Sequence, residues 1–291
     1  VPEPLVGSAG QSKSKARRVS TDAQEATHAV ASDQTTEEAL TAATAASITI
    51  APSEDSMESI GQLIQDLFRS DNAKVNASLA AFELDLVKNK KKCVKIQAVG
   101  GCLALVQLLN KCLDKAMMKI PQCDQVTELN ELAKVTTLNK TLNVIIRLTF
   151  RHEESRISIT AVGGVEAVVK VMKTFPKCQD LQERACGALR NLACCSNGAT
   201  KAIRSGGIEI LLAAITNHLN SAIVCKIVCW ALFNIVHGSK ENIGLLITLK
   251  CGAAVEKVRM KWLDNNDVQT QVRKLAKLFV TAWKARGDAE E

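Results

Sequence analysis

The sequence predicts an all-α chain: a right-handed α-solenoid of about four and a half repeats, preceded by a disordered tail. Three observations carry this. Only 3% of the 291 residues are aromatic while 47% are hydrophobic, a composition that suits cores of Leu, Ile, Val, Ala and Cys between packed helices better than a sandwich or barrel. The chain also repeats itself, with AVGGVEAVVKVM (161–172) matching RSGGIEILLAAI (203–214) and GALRNLACC (187–195) matching WALFNIVHG (230–238). Both matches fall at one period of 43, with Gly164 paired to Gly207 and Asn191 to Asn234, and a period of that length is the signature of a stacked repeat array.

Residues 1–56 hold three of the five prolines, are rich in Ala, Ser, Thr, Glu and Asp, and show no sustained apolar period. They read as a disordered tail. Their net charge is −4, so the remainder of the chain carries +11 of the total +7. A mitochondrial presequence would be basic and poor in acids, which this segment is not. Within it, RRVS at 17–20 makes Ser20 a candidate for a basophilic kinase.

The repeat body is expected to span 57–286, with a short polar tail at 287–291. A partial first unit begins near Ser59, since SLAAFELDLVKNKKKCVKIQAVGG aligns with ERACGALRNLACCSNGATKAIRSGG less one residue. AVGGCLALVQLL (98–109) opens the next. Gly101 and Gly164 are 63 apart, one period plus about 20 residues, and the surplus is expected as an inserted loop at about 110–130, where KCLDKAMMKIPQCDQVTELNE has a proline and no counterpart. The units at 152–237 are the clearest, and KCGAAVEKVRMKW (250–262) opens the last. Each unit reads as a short helix ending before Gly-Gly, an apolar second helix, a polar break, and a longer third helix with small residues, as at Ala185 and Ala188. The glycines permit a tight turn and a close helix approach. Such a unit cannot cover its own apolar face, so its neighbours must.

These residues resemble the armadillo repeat family, whose pattern runs through a small-residue third helix (A..AL.NL), a loop with Asn, and a Gly-Gly turn into an apolar helix. HEAT repeats, which lack the Asn and Gly-Gly features, are the second match. In armadillo proteins the third helices line a concave groove. Trp230 and Asn234, four residues apart and thus on one helical face, are similar to the Trp-x-x-x-Asn pair with which importin-α holds an extended peptide. The resemblance implies that the amide pairs with a ligand backbone whose own groups are unsatisfied. The period places Gly187 and Asn191, Val144 and Leu148, Ala81 and Asp85, and Lys274 and Leu278 at the corresponding positions, so the ladder has two Asn rungs and one Trp.

Arg147, Arg151, Arg190, Phe233, His237 and Lys277, with Lys88, are expected on or near the same face. A groove for basic peptides needs carboxylates, whereas these are mostly cations. The expected partner is therefore an acidic or phosphorylated extended segment, in keeping with the basic groove of β-catenin. The chain's own acidic tail, with ~55 flexible residues spanning about 40 Å, is a second candidate occupant. An import-adaptor-like carrier ranks lower because the groove is short and not acidic. The alternative from another class is a nucleic-acid or anionic-membrane binder using the run KNKKKCVK, with Lys88, Lys90, Lys91, Lys92 and Lys95 as its basic patch.

No catalytic constellation, phosphate-cradling loop or metal-ligand spacing is visible, so no enzyme activity, cofactor or metal is expected. Eleven cysteines sit mostly at apolar positions without a CxxC pair, and Cys194 is adjacent to Cys195. They read as free thiols of a reducing compartment, cytoplasmic or nuclear. Sequons at Asn76 and Asn139 fall inside expected helices and carry no weight for glycosylation.

Overall fold

The computed structural model describes residues 57–88, 92–117 and 125–287. The tail 1–56 with Ser20, Lys90 and Lys91 of the basic run, residues 118–124 and the end 288–291 lie outside them. Among the described residues there are fourteen helices and no strand: α1 (Met57–Asp66), α2 (Asn72–Lys88), α3 (Lys92–Ala98), α4 (Gly101–Met117), α5 (Gln125–Thr149), α6 (Glu153–Ala161), α7 (Gly164–Thr174), α8 (Gln179–Leu192), α9 (Ser196–Arg204), α10 (Gly207–Asn217), α11 (Ala222–Val236), α12 (Lys240–Thr248), α13 (Cys251–Lys261) and α14 (Asn266–Gly287). From α3 onward they form four triplets of a short, a second and a third helix, with α1 and α2 as the partial first unit. The architecture is the armadillo-type solenoid. The third helices α2, α5, α8, α11 and α14 stack in order as one layer, and the second helices α4, α7, α10 and α13 as another. A single apolar core runs through all units from Ile60 to Leu275.

Local chemistry sets the helix starts. Ser221 accepts a hydrogen bond from the Val224 amide at 3.3 Å and Ser239 from Asn242 at 3.2 Å, while His152 Nδ1 accepts from the Ser155 amide. Each satisfies a first-turn donor that the helix itself cannot. At the Gly-Gly turns the two glycines answer different constraints. Gly100, Gly163 and Gly206 adopt φ of +80°, +87° and +79°, left-handed backbone that side chains disfavour. The following Gly101, Gly164 and Gly207 open the second helices against the end of the first. A Cβ on Gly164 would stand 2.7 Å from the Ile159 carbonyl oxygen.

In the last unit Lys250 takes the left-handed position, with φ +54°. Lys250→Gly is therefore expected to raise stability by about 1 kcal/mol, seen as a rise in Tm of a few degrees in thermal denaturation.

The surplus in the unit of α3 to α5 is not the loop expected at 110–130. Residues 110–117 and 125–130 are helical: α4 has 17 residues where α7, α10 and α13 have 11, and α5 has 25 where α8 has 14. Leu108, Leu109, Cys112 and Leu113 keep their apolar spacing beyond the usual end of a second helix and are all buried, which sustains the longer helix.

Neighbouring units are fastened by two hydrogen-bonded ladders. The side chains that cap the second helices reach back one unit: His218 Nε2 donates to the Pro176 carbonyl at 2.9 Å and Trp262 Nε1 to the Leu219 carbonyl at 3.0 Å. On the third-helix layer the rungs are asparagines, described below. Asn76 and Asn139 lie in α2 and α5, and Asn76 Oδ1 accepts from Thr137 at 3.2 Å. No single described helix is long and apolar enough to cross a membrane.

Candidate functional site

α8 and α11 lie side by side in the third-helix layer and bring Arg190, Cys194, Trp230 and Asn234 together. The Asn234 amide donates to the Arg190 carbonyl at 2.8 Å and to Cys194 Sγ at 3.2 Å. The Arg190 guanidinium lies over the Trp230 ring, 4.7 Å from its centroid, an attraction of about 1 kcal/mol that holds a long side chain in one orientation. Trp230, Asn234 and Arg190 are all half-exposed. Among the described residues nothing donates to Asn234 Oδ1, so the amide is anchored through its N–H groups while its carbonyl keeps acceptor capacity.

Asn191 repeats the anchor one unit earlier but keeps nothing in reserve. It is only 6% exposed. Its amide donates to the Ile146 carbonyl at 3.1 Å and Thr149 Oγ1 at 3.3 Å, and its Oδ1 accepts from Arg190 Nε at 3.2 Å. The recurring asparagine thus has a structural role, because it ties a carbonyl in the last turn of the preceding third helix, Ile146 for Asn191 and Arg190 for Asn234, to its own helix. Asn191 is in that respect a fastener between repeats rather than an open ligand contact.

The other expected residues are divided. Phe233 and His237 stack on one another with ring centroids 4.8 Å apart, at the end of α11. Arg151 is exposed, its guanidinium 5.3 Å from the Phe150 ring centroid. Arg147 is tied between third helices to Glu83 at 3.2 Å. Lys277 is exposed and Lys274 half-buried on α14, where Leu278 packs on the core. Gly187 admits Ile146, whose Cδ1 would be 3.2 Å from an added Cβ, and Val144, Leu148 and Ala81 are buried. Lys92 corrects the expected basic patch. It is 8% exposed and paired with Asp85 at 3.0 Å, because α3 packs it against α2. Lys95 is half-buried, and Lys88 ends α2.

Two residues of this region carry no signal in the repeat pattern. Arg156, on α6, lies near enough to the Cys194 thiol to pull its pKa down, and Cys194 is the one exposed cysteine among the described residues. Packing around the sulfur pushes its pKa up, against the opposing pull of Arg156 and Arg190. The period aligns Cys194 with His237 but does not point to Arg156, since a first-helix arginine that reaches the end of the third helix of its own unit leaves no local trace. Seven other described thiols are buried, and burial raises Cys102, Cys225 and Cys251 to about 11 and Cys229 to about 12. Cys225 and Cys229, set on the apolar face of α11, are core. Among the described residues no group of three or more His, Cys, Asp or Glu is placed to hold a metal ion.

No protein-family model matches the chain. A 94-residue stretch is 32% identical to Protein aardvark of Dictyostelium discoideum, a match covering 28% of this chain and 12% of that protein. The matched stretch thus covers about an eighth of this relative's length. Among solved structures, a computationally designed armadillo repeat protein made for modular peptide recognition superposes with a TM-score of 0.61 at 18% identity, over 76% of this chain and 82% of its own. A second designed armadillo repeat protein gives 0.50 at 17% identity, over 76% and 99%. These likenesses establish the armadillo-type fold.

Proposed function

We propose that the protein is a non-catalytic binding scaffold whose third-helix face takes an extended acidic peptide segment of a partner protein. The observation that carries this reading is Asn234. Its amide is fixed to the preceding helix, its Oδ1 is left to accept an N–H from an extended backbone, and Trp230 stands one turn away as a shelf. A strand-like ligand presents such an unpaired N–H at every second residue. Arg151, Arg190 and Lys277 give the face its charge preference, complementary to carboxylates. Peptide recognition by a designed structural neighbour is consistent with this use of the fold. Buried free thiols suit a reducing compartment, cytoplasmic or nuclear. The nucleic-acid or membrane reading is weakened by the pairing of Lys92 with Asp85.

Degenerate ten-residue peptides of acidic, neutral and basic composition, captured on the immobilised full chain, test the reading. Acidic peptides are expected to be retained preferentially, and Trp230→Ala to reduce retention about tenfold while its Tm shows the array still folded. Equal retention of all three compositions, or indifference to Trp230→Ala, would overturn it.

A further inference from the structure

Cys194 sits at the centre of a cluster of hydrogen-bond donors. Its sulfur accepts from the Asn234 amide at 3.2 Å and donates to the Arg190 carbonyl at 3.5 Å, and the Arg156 side chain lies near enough to favour the thiolate. Arg190, one turn earlier on α8, adds its field to the same sulfur. The two arginines come from different elements and are each oriented from outside the cluster. Arg156 Nε donates to the His152 carbonyl at 3.5 Å. Arg190 is fixed by the Trp230 ring on one side and Asn191 Oδ1 on the other. Among the described residues Arg156 forms no ion pair. α6 also carries Glu153 and Glu154, and Glu154 is engaged by His152 at 3.7 Å. At the middle of the cluster there is thus a small, weakly accepting thiol, exposed to solvent, where two guanidiniums and an amide converge.

We infer that Arg156 and Arg190, over Cys194, form a seat for a phosphorylated side chain of the bound segment. The inference rests on the peptide-binding reading and names its ligand class more closely. A phosphomonoester carries about two charges and three acceptor oxygens at pH 7, and planar guanidiniums pair with such a group through parallel N–H donors. A carboxylate offers two oxygens and one charge, so it can satisfy only part of the same donor set. Trp230 contributes indirectly, since the ring that would shelve a ligand residue also prevents Arg190 from turning away. Ser20, in RRVS at 17–20, is a source within the chain, but Lys13, Lys15, Arg17 and Arg18 beside it oppose a cationic face, so the phosphoryl group is assigned to a partner's acidic segment.

The test uses the full chain and two degenerate acidic peptide mixtures, identical except for a central phosphoserine or glutamate. Retention is measured together with the rate at which iodoacetamide alkylates Cys194, read by peptide mass spectrometry. The phosphoserine mixture is expected to bind about tenfold more tightly and to slow alkylation of Cys194 at least fivefold. Arg156→Gln should remove both effects, Arg156→Lys should restore part of the affinity, and Lys257→Gln, exposed on α13 in the second-helix layer, should change neither. Phosphorylating Ser20 and comparing the result with Ser20→Ala separates the sources: protection of Cys194 without added peptide assigns the seat to the chain's own segment. Equal binding of the two mixtures with equal Cys194 protection would overturn the seat and leave the peptide reading intact. Protection of Cys194 by O-phosphoserine, with no acidic mixture retained, would support the seat and overturn the peptide reading.

Discussion

Gly207→Ala is expected to destabilise the array by about 2 to 3 kcal/mol, and Gly244→Ala to stabilise it by about 0.5 to 1 kcal/mol. The substitution is the same and the surroundings decide the sign. A Cβ on Gly207 would lie 2.6 Å from the Ala202 carbonyl oxygen, 3.1 Å from its carbon and 3.3 Å from its Cβ. Two of these three are backbone atoms of α9, so no side-chain rotation can relieve them. Relief would require α9 and α10 to separate, and both face neighbouring units on the core side. Gly244, inside α12, has nothing within 4 Å of an added Cβ, so alanine there reduces the entropy lost on folding and adds no contact. Urea denaturation of both variants beside the parent checks the pair. A Gly207→Ala variant as stable as the parent would show that this turn can open without cost, and the close approach would then not explain the recurring glycine.

The fold was legible because its determinants are short and repeated. Gly164 and Gly207, and Asn191 and Asn234, recur at one spacing since each unit must solve the same problem of closing a turn and meeting a neighbour. The final unit shows the limit: Lys250 occupies the left-handed position held elsewhere by glycine, so a reading that follows glycines loses the register there. Residues 110–130 misled for a different reason. A proline and the lack of a counterpart suggested a loop, while the apolar spacing of Leu108, Leu109, Cys112 and Leu113 was already extending α4.

The site was less legible than the fold, because a third-helix residue can face a ligand or the adjacent unit at the same helical phase. Asn191 and Asn234 are equivalent in sequence, yet Asn191 is enclosed by Arg190, Ile146 and Thr149, and Asn234 retains an open carbonyl. The difference lies in the residue just before each: Arg190 donates to Asn191 Oδ1, whereas Phe233 has no donor to offer Asn234. Lys92 illustrates the same point for charge. In a run of lysines it reads as surface, but α3 turns it toward Asp85. Arg156 could be found only once α6 had been placed beside the end of α8.

A second large effect is expected in alkali: between pH 8.5 and pH 10 the array should lose on the order of 4 to 8 kcal/mol of stability through its buried thiols alone. In the unfolded chain a thiol ionises near 8.5. In the folded chain burial holds Cys102, Cys225 and Cys251 protonated up to about 11 and Cys229 up to about 12, and drives Cys186 higher still. The folded state therefore binds more protons than the unfolded state throughout this window, so stability falls as pH rises, by up to about 1.4 kcal/mol per unit for each thiol. Residual burial of thiols in the unfolded chain moves the loss toward the lower end of the range. Below the unfolded value both states are protonated and the contribution is fully present. Urea midpoints measured under reducing conditions at pH 7.5, 9 and 10 give the slope. Cys229→Ala lowers stability at every pH by leaving a cavity in α11, but it should flatten the slope by one thiol's share, and further replacements should flatten it in proportion. A slope unchanged by Cys229→Ala would mean that this sulfur ionises in place, and that the interior of α11 is open to water in a way its 0% exposure excludes.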